Sequence, residues 1–263
     1  MNVCTKSVYV LMLAVCWVGY SHTPPASYSI RGASKNLSSK KRRAMRRWRV
    51  QVQKLAQEHP TTIFLNGPSD QKMVSLTFDD GPDAVVTPRI LDVLARYQVK
   101  ATFFFVGEKI AAQSDVVQRA YREGHVIASH AWHHDDLAKK TDADVHDELL
   151  QTQMALYTQI GKKTVFMRPP YGSLNRRVLQ EIEQMGYRVI LWSLDTLDWA
   201  AHEKNSIVRT IMRNVRAGDI ILMHCDESRQ ATLDALPEII QQLRRRKFSL
   251  VDVATLLNRS AYR

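Results

Sequence analysis

From Lys72 onward, short apolar runs of strand length alternate with longer stretches in which apolar residues recur at helical spacing. The runs fall at Met73–Phe78, Ala101–Val106, His125–Ser129, Val165–Met167, Arg188–Trp192, Asp219–Met223 and Phe248–Val251. The helical stretches fall between them, at Thr87–Tyr97, Asp115–Glu123, Asp142–Ile160, Asn175–Met185, Ser206–Val215 and Ala231–Arg244. Such alternation predicts an α/β fold, a parallel sheet with covering helices. Six or seven such units point to barrel-like closure over an open sheet.

Before Lys72 the pattern is different. Val8 to Gly19 is an apolar run of 12 residues preceded by Lys6, the length of a signal h-region and short of the roughly 20 residues that span a bilayer. Leu13-Ala14-Val15-Cys16 resembles a bacterial lipobox, although Val15 stands where Gly, Ala or Ser is usual. These features predict export to the periplasm or cell envelope, with lipidation at Cys16 as one candidate anchor. The basic cluster that follows argues the other way, since cations beside an uncleaved anchor tend to stay in the cytoplasm. His22–Ser39 is rich in Ser, Pro and small residues and reads as a linker. The expected division is a targeting segment at 1–20, a linker and basic segment at 21–70, a catalytic domain at 71–257 and a tail at 258–263.

Charge sharpens this division. The chain carries +11 overall, but residues 1–60 hold 11 Lys or Arg against the single acid Glu58, or +10. The remaining 26 basic and 25 acidic residues leave the body at +1, so a nucleic-acid partner for the body has no electrostatic basis. Residues 40–49 form a solvated basic segment, or the start of a helix through Gln57, or a contact for an anionic membrane surface or cell-wall polymer. Of the cysteines, Cys4 and Cys16 are N-terminal and only Cys225 is in the body, so no internal disulfide is expected there.

The unusual polar residues follow the strands. Asp79 and Asp80 come after the first, His130 and His134 after the third, Arg168 after the fourth, Asp195 and Asp198 after the fifth, and His224 after the sixth. In a parallel barrel those strand ends share one face, where sites form. Residues spread over about 145 positions thereby converge. His130, His134 and Asp80 offer two imidazoles and a carboxylate with room for water, the donor set of a catalytic zinc-type centre. His125 and His133 compete for the same assignment. Asp79 beside Asp80 allows one carboxylate to bind metal while the other takes a proton from water. The plainer reading of Asp-Asp-Gly-Pro is a turn, and of His-x-x-x-His a polar loop.

Five motifs then carry a family resemblance. Thr77-Phe78-Asp79-Asp80-Gly81-Pro82, Ser129-His130-Ala131-Trp132-His133-His134-Asp135-Asp136-Leu137, Arg168-Pro169-Pro170-Tyr171-Gly172, Asp195-Thr196-Leu197-Asp198-Trp199 and Leu222-Met223-His224 occur in order. Together they resemble the signatures of the NodB-homology polysaccharide deacetylases, carbohydrate esterase family four, over residues 71–257. The resemblance implies a distorted, incomplete (β/α) barrel with its site at the C-terminal ends of the strands. It implies a divalent metal, usually zinc, with cobalt, nickel or manganese as alternatives, held by Asp80, His130 and His134. Asp79 would be the general base, paired with Arg168. His224 would be the general acid, oriented by Asp198, with Asp195 competing for that partnership. The Tyr171 amide would meet the oxyanion, and Trp199 and Leu222 would line the acetyl pocket. The implied substrate is an N-acetylated glycan: peptidoglycan, chitin-like or poly-N-acetylglucosamine.

Two positions depart from the pattern: Ala131 replaces the usual Ser or Thr, and Asp135 replaces the usual Pro and is expected to add a carboxylate near the metal. A cyclic imide or other amide hydrolase of the superfamily, or an inactive carbohydrate-binding relative, is the alternative. Cys225 beside His224 suggests a nucleophile, but a metal-activated water leaves a thiol no task.

Overall fold

The computed structural model describes residues 27–32, 37–200 and 203–263. The targeting segment expected at 1–20, including Cys16, lies outside them. Among the described residues, no helix is long and apolar enough to cross a membrane.

The described chain opens with helix α1 (Ser39–Glu58) and strand β1 (Ile63–Phe64). There follow β2 (Met73–Asp79), α2 (Val86–Arg96), β3 (Thr102–Phe105), α3 (Gly107–Ile110), α4 (Ser114–Arg122) and β4 (Val126–Ser129). Next come α5 (Asp142–Ile160), β5 (Phe166–Met167), α6 (Arg176–Gln184), β6 (Arg188–Ile190), β7 (Leu194–Asp195) and α7 (Lys204–Asn214). The chain closes with β8 (Ile220–His224), α8 (Gln230–Arg245), β9 (Ser249–Leu250) and α9 (Val253–Leu257). Strands run in the order β1-β6-β5-β4-β3-β2-β8-β7, with β9 paired to β2, and every strand pairing is parallel. The sheet curls into a half-barrel, the expected incomplete barrel.

Strand alternation sorts the side chains into two cores. Val74, Leu76 and Phe78 of β2, Phe103 and Phe105 of β3, and Ile221 and Met223 of β8 pack outward against α2, α4 and α8. Phe104, Ile220 and Leu222 face the interior. Thr77, Asp79 and His224 share that inner parity. Parallel register sets Asp79 level with both Phe104 and His224. The inner face thus brings the polar strand ends together.

The segment expected to be a linker belongs to this body. Ser38 caps α1 by accepting the Lys41 amide, and α1 buries Val52, Leu55 and Ala56 in the inner core. Strand β1 extends the sheet beside β6. At the other end of the sheet Arg31 bridges to Leu194, and Ile30 is buried. The boundary expected at residue 71 therefore falls inside the folded unit. The tail also packs: Ala261 is buried and the Tyr262 hydroxyl accepts the Ile127 amide. Two-residue strands such as β1 and β7 are too short to show a period, which is why the apolar pattern does not reveal them.

Candidate active site

Four loops around the barrel mouth use left-handed backbone at five residues other than glycine. Asp80, Ala131, His134, Tyr171 and Leu197 have φ between 57° and 71°. Such strain persists where surrounding contacts over-determine it, and it concentrates at functional sites.

At the centre, Asp80 Oδ1 lies 3.0 Å from His134 Nε2 and 3.4 Å from His130 Nε2. The three atoms converge from the loops after β2 and β4. His130 is fixed from behind, its Nδ1 2.7 Å from the Arg168 carbonyl, which places the proton on Nδ1 and turns the Nε2 lone pair inward. Asp80 Oδ1 is buried yet accepts no properly directed hydrogen bond. Burial works to raise the Asp80 pKa, but the facing His130, His134 and His224 outweigh it and hold the carboxyl below the usual range. An orphaned carboxylate oxygen facing two imidazole nitrogens is a donor set that fits a divalent cation. Neither His133 nor His125 joins it. His133 Nδ1 bonds Glu148 at 2.9 Å, and His125 is a buried core residue whose pKa burial lowers to about 4.

Asp79 stands beside this centre with Oδ2 3.8 Å from His130 Nε2. Its Oδ1 accepts from Arg168 Nη1 at 2.6 Å. Arg168 is wholly buried, and its other donors go to Thr77 Oγ1, the Ile190 carbonyl and the Leu191 carbonyl at 2.8–2.9 Å. Its guanidinium stacks 4.0 Å over Phe104. Burial draws the Arg168 pKa down and Asp79 opposes that.

On the next strand, His224 Nδ1 lies 2.7 Å from Asp198 Oδ1. Asp198 Oδ2 accepts the His224 amide and the Thr232 hydroxyl. Burial alone would lower the His224 pKa, but the Asp198 carboxylate, with Asp80 and Asp79 behind it, raises it to about 10. Asp195 makes no bond to His224. It accepts the Leu197 amide, and burial raises its pKa to about 6. Cys225 is buried, its thiol donates to the Asp79 carbonyl, and burial pushes its pKa well up, as suits a packing residue.

Tyr171 is exposed at the rim, its ring 4.8 Å from His134. A cleft of about 790 Å³ opens from Asp80 and His134 between Pro82, Val106, Glu108 and Asp226. Trp199, half-buried, and Leu222, buried in the inner core, are not among the residues lining that cleft. Asp135 does not contribute a carboxylate to the centre. It turns outward to Lys140 at 2.9 Å. The support that Ala131 lacks comes instead from Glu148 of α5, whose Oε2 accepts the Trp132 and His133 amides at 2.7 and 2.9 Å. Glu148 gives no sequence signal, because a glutamate inside a helix is ordinary.

The fold and site together define a half-barrel protein with a two-histidine, one-carboxylate centre at its mouth. Residues 66–190 match the family model described as polysaccharide deacetylase. The chain is 35% identical over 200 residues to a peptidoglycan-N-acetylglucosamine deacetylase of Bacillus cereus, covering 75% of this chain and 73% of that one. It is 37% identical over 185 residues to the peptidoglycan-N-acetylglucosamine deacetylase PgdA of Listeria monocytogenes, covering 70% of this chain but 39% of that protein's length. A crystal structure of a peptidoglycan N-acetylglucosamine deacetylase superposes with TM-score 0.77 at 33% identity, covering 80% of this chain and 99% of that one. The chain belongs to the polysaccharide deacetylase family.

Proposed function

We propose that this chain is a metal-dependent hydrolase that removes N-acetyl groups from amino sugars of a cell-envelope glycan, releasing acetate. The observation that carries the reading is the placement of a carboxylate and an imidazole beside one cation centre. Asp79 is locked by buried Arg168, and His224, level with it on the neighbouring strand, is held protonated by Asp198. A carboxylate base and a cationic acid on one face suit hydrolysis of an amide, where water must lose a proton and nitrogen must gain one.

In this mechanism Asp80, His130 and His134 hold the ion, for which zinc is our assignment, with cobalt, nickel or manganese able to substitute. When bound, such an ion polarises an acyl carbonyl and acidifies water. Asp79 accepts the proton of the attacking water, and Arg168 keeps its carboxylate in place. The Tyr171 amide donates to the oxygen that gains charge. His224 passes its Nε2 proton to the departing amine, and Asp198 stabilises the ring's charge until then. Trp199 and Leu222 are proposed to receive the acetyl methyl group.

We further propose that the protein lies outside the cytoplasm, in the periplasm or envelope, with residues 1–20 as its targeting segment and Cys16 as one candidate lipid attachment point. Relatives named for peptidoglycan deacetylation support a wall substrate, and the cations at 40–49 suit anionic envelope material. The test is acetate release from N-acetylated glycans and peptidoglycan fragments by protein stripped and reloaded with zinc, cobalt or nickel. Metal-dependent release from one polymer is expected. No release by folded, metal-loaded protein from any of them defeats the reading.

A further inference from the structure

Helix α1 lies across the gap of the half-barrel, and its direction matters. It ends at Glu58, five residues before β1, which runs parallel to the whole sheet. The helix therefore runs antiparallel to the strands, with its N-terminal half at the end where the site opens. Contacts agree. Trp48 stacks on Trp192 at 4.9 Å and its Nε1 donates to the Gly172 carbonyl, in the turn that carries Tyr171. Gln51 donates to the Leu174 carbonyl on one side, and Lys41 Nζ sits 6.0 Å from the Trp199 ring on the other.

The first eleven residues of α1 carry Lys40, Lys41, Arg42, Arg43, Arg46, Arg47 and Arg49 and no acid. Cations in a first turn oppose the helix dipole, so the helix forms despite this charge. Lys40, Lys41, Arg43, Arg46 and Arg47 are exposed, and among the described residues no carboxylate lies within ion-pair distance of them. Arg49 has its Nε and Nη2 buried without partners among the described residues. The loops after β2 and β8 and helix α3 present Asp83, Glu108, Asp226 and Glu227 to the cleft, beside two cations, Lys109 and Arg229, the latter paired with Asp226. The barrel mouth is thus uniformly basic along α1, whereas along the cleft carboxylates outnumber cations.

We propose that the basic half of α1 is a substrate-strand subsite, and that the preferred substrate is a glycan whose N-acetylated sugars carry carboxylates. This rests on the deacetylase reading and narrows its substrate. The carboxylates of a strand crossing the mouth are drawn to α1 and turned away from Asp83 and Glu108, which fixes how the strand lies over Asp80 and His224. A membrane could use the same cations, but the helix is pinned to the Gly172 turn and reaches Trp199, so the charge is delivered to the site.

The test compares a neutral oligomer of N-acetylglucosamine with peptidoglycan glycan strands stripped of peptide, using the full chain loaded with zinc. At low salt the KM for the carboxylated strand is expected about tenfold below that for the neutral one, and the ratio should shrink toward one near 0.5 M NaCl as screening grows. The variant Lys41→Gln/Arg43→Gln/Arg46→Gln/Arg47→Gln should bring the ratio toward one at low salt. Arg46→Glu/Arg47→Glu should invert it, an outcome that misfolding does not produce. A ratio unmoved by salt and by both variants overturns the proposal. So does loss of binding to phosphatidylglycerol vesicles with the ratio unmoved, which assigns the helix to a membrane. If no acetate is released from either strand the deacetylase reading fails, and equilibrium binding of the two strands gives the same ratio independently.

Discussion

Arg168 carries a full charge where no water reaches, and among the described residues Asp79 is its only anionic partner in hydrogen-bond range. Asp79→Asn therefore does two things. It removes the proposed base, so kcat should fall by about 10²–10⁴-fold. It also leaves a buried guanidinium uncompensated, so stability should fall by about 3 kcal/mol, read as a lower denaturation midpoint. Near-normal turnover in the pure variant would remove Asp79 from the mechanism. His224 gives a pH prediction of definite sign. Its pKa is about 10 in the folded state against an ordinary value of 6.5. The stability it contributes is complete below pH 6.5 and is lost as pH rises through about 10. Asp198→Asn should remove that slope and draw the alkaline limb of kcat/KM down from near 10. Equal alkaline limbs in the two proteins would mean that Asp198 does not tune the acid. The residues of this centre were legible in the sequence because each is a chemically distinctive side chain just after an apolar run. Which neighbour does the work followed only from the family resemblance, not from the residues themselves. Asp195 and Asp198 are three positions apart; Asp198 meets His224, while Asp195 accepts the amide of Leu197, whose backbone is left-handed.

At the scale of elements, the histidine loop is held by the α-helix that follows it. Glu148 is buried in the second turn of α5, accepts two loop amides, and is balanced by Lys140 at 2.9 Å. Between them these contacts hold Ala131 and His134 in left-handed backbone that neither residue favours. Glu148→Ala should lower divalent-ion affinity by about 10–100-fold, the usual consequence of losing a group that supports metal ligands. Competition dialysis against a chelator measures this without any assay of turnover. Unchanged affinity would show that the loop holds its shape alone. The Trp48 contact is a second such link. A Cβ at Gly172 would lie 2.6 Å from the Trp48 ring and 2.8 Å from Trp192, at φ +62°. Gly172→Ala should therefore unseat α1 and destabilise the fold by about 1–3 kcal/mol, visible as a lower Tm. Most strands and long helices were legible from their periods, whereas α1 stood only as one of several readings of its segment, because seven cations in its first eleven residues masked its apolar stripe of Trp48, Val52, Leu55 and Ala56.

For the whole molecule, the open edge of the half-barrel decides where the folded unit begins. A curled sheet of this order leaves an interior gap between β1 and β7, and an exposed apolar interior is unstable in water. Helix α1 and the strand-like residues at 28–31 fill the gap: Val52, Leu55, Ala56 and Ile30 enter the same core as Leu222 and Trp192. Tyr28 ties the segment to both sides, donating its amide to Asn66 and its hydroxyl to the Ala217 carbonyl. Composition hid this, because a stretch rich in Ser, Pro and charge resembles a linker whether or not a few of its side chains are buried. Burying each Val, Leu or Ile side chain contributes roughly 1.5–3 kcal/mol. Losing the set thus removes an amount comparable to the roughly 5–15 kcal/mol that keeps a domain folded. Two truncations separate the possibilities. Protein beginning at Ser27 should melt at the temperature of the full chain. Protein beginning at Thr61 retains every proposed metal ligand and catalytic group, yet should be insoluble or melt many degrees lower and bind zinc weakly. If the shorter protein folds and binds zinc normally, α1 is an accessory laid over a complete barrel, and its cations then act on the substrate alone.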